Sequence, residues 1–302
     1  MAYQTGDNIL DTHYNDFGTS VNALWGTGTG DAGYGESTTV STVSDGDTIT
    51  AAQWSTVLSR ITSIKDHQSS SVTAITSPST GDLIEAFTAL STNIATITTN
   101  RLNVHARQSA VNNNIDNTSN FTGTITQTGR FAWGSANQAR YFFNAGGRLS
   151  CSWSLSGHTS DNKANNWAAL ATACGTFQIT AQSSGKSGGS GSTSTNDTNA
   201  GFYDLGTSFA VVFKQFEDDS PYTASFIQLS AQTASSATQV ELKSEWSDAA
   251  ADQTSFNKSI YNVQDIVDGT KRSTMSSEKH NTTHVSDNGG TITFSTVTNS
   301  HS

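Results

Sequence analysis

Apolar residues change their period once along this chain, and that change restricts the folds open to it. Near the N-terminus Leu10, Tyr14, Phe17, Val21 and Leu24 recur at spacings of four, three, four and three. That is the repeat of one helix face, in a narrow heptad-like seam. Further on, Leu149, Cys151, Trp153 and Leu155 alternate with Arg148, Ser150, Ser152 and Ser154. That is the repeat of a half-buried antiparallel strand. Helical spacing first and alternation later point to an α+β chain. We expect an N-terminal helical docking or oligomerisation region over residues 1–110. An antiparallel β-sandwich with one packed helix should follow over 111–302.

Three helices are expected in the first region. Asp7 is placed to cap the first. The second starts at Thr50, where Gln53 stands three residues on as in a capping box; its apolar face is Trp54, Val57, Leu58, Ile61 and Ile64. The third starts at Asp82, with Glu85 three residues on, and presents Ile84, Phe87, Leu90, Ile94 and Ile97 as far as about Val104. Between the first two lies "GTGTGDAGYGESTTVSTVSDGD", a glycine loop followed by a short β-like run. Thr and Ser are mediocre helix formers, so each helix needs a partner for its stripe. The stripes can satisfy one another within the chain. Equally, the seam of the first helix suits a bundle of several copies.

From about Asn112 alternation takes over. "NNNIDNTSN" reads as a polar linker and "FTGTITQTG" as a short strand. Tyr141–Phe143 and the Asn-Ala-Gly-Gly turn after it suit a hairpin into the strand at Leu149. "NKANNWAALATAC" is a helix burying Trp167, Leu170 and Ala171. The expected later strands are "TFQITAQS", "SFAVVFKQF", "YTASFIQLSAQ", "TQVELKSEW", "SIYNVQDIV" and "GTITFSTV". "SSGKSGGSGSTSTNDTNAG" reads as a flexible loop.

Composition bears on partners. Of the 302 residues, 15 are Lys or Arg and 25 Asp or Glu, for a net charge of -10 with no basic block. Such a chain is a poor nucleic-acid binder. No apolar run approaches the roughly 20 residues of a membrane span. The opening "MAYQTGDNILD" lacks the basic and apolar regions of a secretory signal, so synthesis in a cytosol is expected. Hydrophobic residues make up 34% and charged residues 13%, yet the aromatics suffice to build a core. Cys151 and Cys174 are read as two buried free thiols, with a single disulfide as the other reading.

Motifs that would carry chemistry are weak. Gly28, Gly30 and Gly33 match G-x-G-x-x-G, but the match follows a helix, whereas a dinucleotide site needs a strand there; a turn is the simpler reading. His280 and His284 have metal-ligand spacing without a visible third ligand and are read as exposed loop residues. Asp218 and Asp219 in "FEDDS" could meet calcium, although a solvated turn before Pro221 explains them. Acidic residues of the β half, such as Glu217, Asp218, Glu241 and Glu245, could supply the carboxylate pair of a depolymerase, and nothing in sequence fixes their geometry. We expect no enzyme, and no catalytic, cofactor or metal residues.

The run from Asp7 to Gln68 resembles the N-terminal module of virion structural proteins of tailed phages, especially those infecting marine cyanobacteria. The shared signs are the opening "YN" helix, the "GTGTGDAGYG" loop, the "GDTITAAQW" helix entry and the closing "HQ". The stretch "ARYFFNAGGRLSCSWSLSG…NNWAALATACGTFQI" resembles the β-rich module that often follows. The resemblance is less clear after about residue 185. It implies a structural role in the neck, tail or baseplate as a fibre-type appendage. The protein would be localised in the virion after assembly in the host cytoplasm. The implied partners are other virion proteins and further copies of the chain, as a trimer. On this reading Leu10, Tyr14, Phe17, Val21 and Leu24 form an interface. The alternative is a receptor-binding module for host-surface glycan, with Tyr203 and Trp246 as stacking residues.

Overall fold

The computed structural model describes residues 10–79, 87–191, 193–196, 198–234, 237–250 and 267–302. It is α+β, and the chain divides into two compact units. The first unit comprises Met1–Ser109, Asn137–Gly147 and Lys279–Gly290. The helical unit is thus not one continuous stretch: two segments from beyond residue 110 belong to it as well.

Three helices, α1 (Asp11–Trp25), α2 (Ala51–Gln68) and α3 (Phe87–Thr99), build its core. Asp7, Asp82, Ile84 and Glu85 lie outside the described residues. The capping box of α2 is complete: Thr50 Oγ1 accepts from the Gln53 backbone N–H at 3.3 Å, and Gln53 Oε1 accepts from that of Thr50 at 2.7 Å. Helix α1 packs Tyr14 edge-on to Trp54 at 5.6 Å and Phe17 edge-on to Phe87 at 4.6 Å. Val57, Ile61, Ile64, Leu90 and Ile97 complete the same cluster. The β-like run after the glycine loop is not a strand. Its backbone is paired by side chains: Asn22 bonds both the N–H and the C=O of Val40, and Asn15 does the same for Val43.

The fourth helix, α4 (Ala136–Asn144), corrects the hairpin expected at Tyr141–Phe143. Asn-Ala-Gly-Gly is a helix end here. The Gly147 N–H bonds the Phe142 carbonyl at 2.8 Å and the Gly146 N–H that of Phe143 at 3.0 Å. Gly146 sits at φ 87°, which is the left-handed closing turn of a Schellman motif.

The second unit comprises Ala110–Ala136, Arg148–Glu278 and Thr291–Ser302. One sheet runs β1 (Val111–Asn117), β10 (Thr270–Glu278), β3 (Arg148–Ser156), β4 (Thr176–Ile179), β5 (Ser184–Ser187). The other runs β11 (Thr293–His301), β2 (Thr124–Ala132), β9 (Gln239–Ser247), β8 (Phe226–Thr233), β7 (Ala210–Phe216), β6 (Thr193–Asn196). Every pairing is antiparallel. Helix α5 (Asn162–Ala173) is capped by Asp161, whose Oδ1 accepts from the Ala164 N–H at 2.7 Å. It buries Trp167 against Phe121 and Trp246.

The expected linker at 112–120 holds all of β1 but its first residue, and the expected flexible loop contains β5 and β6. Of "SIYNVQDIV" only Val267 is described, in an isolated bridge with Phe121. Between the sheets lies a buried polar network. Ser273 Oγ donates to Gln127 Oε1 at 2.6 Å and accepts from Ser244 Oγ at 2.9 Å, and Trp153 Nε1 donates to Ser244 at 2.8 Å. Gln127 Nε2 donates to the carbonyls of Ile115 and Lys271. Each buried polar atom in this chain of contacts meets another, which offsets its desolvation.

Candidate functional site

The expected interface residues resolve into core. Tyr14, Phe17, Val21 and Leu24 are buried within the unit's own cluster, Tyr14 and Val21 completely. Their seam is covered by the chain itself, so it offers no free surface to a second copy. Leu10 departs from the group: it precedes α1 in extended conformation and is 50% exposed. The intramolecular alternative for the stripe is the one the structure takes. A narrow seam looked like a coiled coil because part of the helix's remaining contacts are polar, made by Asn15 and Asn22.

The first resembling run and the opening of the second, 139–147, converge in this unit; the rest of the second lies in the β unit. The glycine loop at 26–35 turns through Gly28 at φ 50° and Gly33 at φ 94°. A Cβ at either would stand 2.4 Å from a backbone oxygen, so only glycine fits. The carbonyls of the loop point at α4. Asn144 Nδ2 donates to those of Gly30, Ala32 and Gly33 at 3.0–3.2 Å. Arg140 donates to those of Thr27, Gly30 and Ala32. Gln68, from the closing "HQ", donates to Tyr34 Oη and to the Ile97 carbonyl, both at 2.9 Å. Tyr34 Oη in turn donates to the Arg101 carbonyl at 2.7 Å. Asn288 Nδ2 donates to the Tyr34 carbonyl at 3.0 Å, and Glu36 accepts from Ser286 through both carboxylate oxygens.

Histidines that looked like loop residues lie partly inside this unit. His67 and His280 are each 1% exposed, with ring centroids 5.3 Å apart. His105 and His284 form a second pair at 6.0 Å. Burial, reinforced by His280, holds His67 far down, at about 3. Its Nε2–H donates to the Ala145 carbonyl at 3.1 Å. Burial lowers His280 as well, and its Nε2–H faces the carbonyls of Val285 and Ser286. Among the described residues these rings do not assemble three metal donors. Sequence spacing paired His280 with His284; the fold pairs each with a histidine from the first hundred residues or so.

In the β unit, Trp246 is fully buried, tilted against Trp167 at 5.9 Å. It is a core residue, which removes it as a glycan platform. Tyr203 is half-buried in a short 3-10 turn, edge-on to Phe202. Glu241 is bonded by Arg130 and Gln232 across the sheet, and Glu245 by Gln228 and Lys243. These carboxylates stabilise cross-strand neighbours. The acidic residues that come together are Glu217, Asp218 and Asp219, in the turn after β7. Lys163 and Asp248 form a buried pair at 2.7 Å, and Asp248 also accepts from Ser225. Cys151 and Cys174 are both free and buried. Burial pushes both thiols up, Cys174 to about 12, which leaves them unreactive at neutral pH.

No family model, no curated protein and no solved structure matches this chain.

Proposed function

We propose that the chain is a structural component of a tailed-phage virion, a fibre-type appendage of the neck, tail or baseplate. It docks through its helical unit, presents its β-sandwich and performs no catalysis. The supporting observation is the convergence of the first resembling run with the opening of the second. The "YN" helix, the glycine loop, the "TAAQW" entry, the "HQ" end and the "ARYFFNAGG" segment are mutual hydrogen-bond and packing partners in one unit. These residues support one another inside one folded unit, while the rest of the second resembling stretch, 148–179, lies in the β unit. Since the α1 seam is core, docking and any trimer contact use the outer surface of the helical unit, and Leu10 is the one seam residue left to join it.

Mass spectrometry of purified particles tests the reading. The chain should be present at constant stoichiometry to the tail or neck proteins, and its absence from intact particles would sink the proposal. Binding of the purified full-length chain to a host-surface glycan array, without incorporation into particles, would replace it with the receptor-binding alternative.

A further inference from the structure

Strand β7 ends at Phe216 and the chain turns back to β8 through residues 217–225. The turn is closed by the Glu217 N–H donating to the Ser225 carbonyl at 2.9 Å. Its first three residues are Glu217, Asp218 and Asp219. One carboxylate oxygen from each lies within 4.8 Å of the others. Oxygens bound to a single calcium ion stand about 2.4 Å from it, so two of them lie at most about twice that distance apart. The three carboxylates already satisfy this condition.

The second observation is the state of Glu217. Asp218 and Asp219 are exposed, as turn carboxylates usually are, but Glu217 is 5% exposed. Its Oε1 accepts from the backbone N–H groups of Asp218 and Asp219 at 3.2 and 3.3 Å. Its Oε2 is buried without a hydrogen-bond partner among the described residues. An ionised oxygen held out of water with nothing to bond is costly. Its neighbours in the turn, Asp218 and Asp219, carry charge of its own sign. Lys186 is engaged elsewhere, donating to Gln215 Oε1 and the Ser190 carbonyl at 2.8 Å each.

We propose that Glu217, Asp218 and Asp219 form a binding site for one divalent cation of the calcium class. The all-oxygen donor set favours a hard ion over zinc, which takes nitrogen and sulfur. Donors from a turn, two of them open to water, suit the flexible shell of calcium better than the near-ideal octahedron that magnesium demands. The ion would give the buried Glu217 carboxylate a cationic partner, relieve the repulsion among three carboxylates and fix the β7–β8 turn. This inference does not depend on the virion reading.

Full-length protein stripped with EDTA is titrated with CaCl2 by calorimetry and melted with and without it. One ion per chain is expected, with a saturable rise in Tm of several degrees. MgCl2 should bind at least about tenfold more weakly. Glu217→Gln should lose the calcium response while folding as the parent does, because the amide keeps the acceptor at Oε1. Should that variant fold poorly, Asp218→Asn and Asp219→Asn, both at exposed positions, should each weaken calcium at least about tenfold. The site is overturned if millimolar CaCl2 produces neither heat nor a Tm rise. An equal rise from NaCl at matched ionic strength, or parental calcium binding by Glu217→Gln, would also overturn it.

Discussion

An asparagine side chain carries a carbonyl and an amide in one plane, the same pair that a peptide unit offers. Asn15 and Asn22, two helical turns apart on α1, each grip both backbone groups of one residue in the irregular segment beside them. Asn93 on α3 grips Thr73 in the same way at 2.8 Å. A helix thus serves as an edge for a segment with no strand to pair with, and the backbone groups of that segment stay satisfied. Asn22→Ala leaves both groups of Val40 unpaired beside a buried side chain. We expect a loss of about 1–3 kcal/mol, read from the urea midpoint at unchanged slope. A loss within the scatter of ordinary surface substitutions would show that water replaces the side chain. The histidines lead to a second prediction. The folded state holds His67 at about 3, below the ordinary histidine value of about 6.5, chiefly by burial. The neighbouring His280, His284 and His105 lower it further, the Ala145 carbonyl raises it, and Asp287 and Lys279 act on His280 in opposite senses. The unfolded chain therefore takes up the proton first. Its contribution is intact above about pH 6.5 and is lost as pH falls from there toward 3, at up to about 1.4 kcal/mol per pH unit. Denaturation curves from pH 7.5 to 4.5 should show this slope, and His67→Gln should flatten it. An identical acid slope in the variant would place the titration elsewhere.

Among the elements, those whose buried face is apolar could be read from the sequence. The strand β3 alternates as expected, with Leu149, Cys151, Trp153 and Leu155 buried. The start of α2 was visible in Thr50 and Gln53 because a capping box is local chemistry. β10 gave no such signal. It is an inner strand between β1 and β3, yet its buried positions include Lys271, Ser273, Ser276 and Ser277, with Met275 the single large apolar side chain among them. Those positions are held by hydrogen bonds: Lys271 Nζ donates to the carbonyls of Ser119, Val267 and Gly269. A polar residue satisfied inside looks the same in sequence as one facing water. The misreading of α4 has the opposite cause. Tyr141, Phe142 and Phe143 are all buried, so no polar face reveals the helix, and β-prone aromatics followed by Gly-Gly imitate a hairpin. The carboxylate turn was half legible: Asp218 and Asp219 were marked by their loop, whereas the burial of Glu217 depends on how β7 and β8 close around it.

At the scale of the whole chain, the decisive feature is that the helical unit is discontinuous in sequence. The backbone leaves it after Ser109, supplies it again with 137–147, and again with 279–290. Long-range pairing of this kind leaves no periodic trace. The inserted segments are not ornaments on a finished fold. Phe142, Phe143 and Asn144 are at most 1% exposed, as are His280 and Val285. Asn144 and Arg140 supply the donors for the carbonyls of the glycine loop, and Ser286 supplies those for Glu36. A cut near residue 110, the boundary that composition suggests, removes all of these from the fragment 1–110. It also leaves the fragment 111–302 with two segments stripped of the partners that bury them. Domains fold alone only when their core is whole. We therefore expect fragment 1–110 to show reduced helical signal in far-ultraviolet circular dichroism and no cooperative melt. Fragment 111–302 should expose apolar surface and bind a hydrophobic dye, as loosely packed states do. A fragment 1–110 that melted cooperatively at the Tm of the full chain would mean that the helical core is complete without α4 and the 279–290 loop. The convergence of the motif residues would then be a consequence of docking onto a finished module, and not the bond that makes it one.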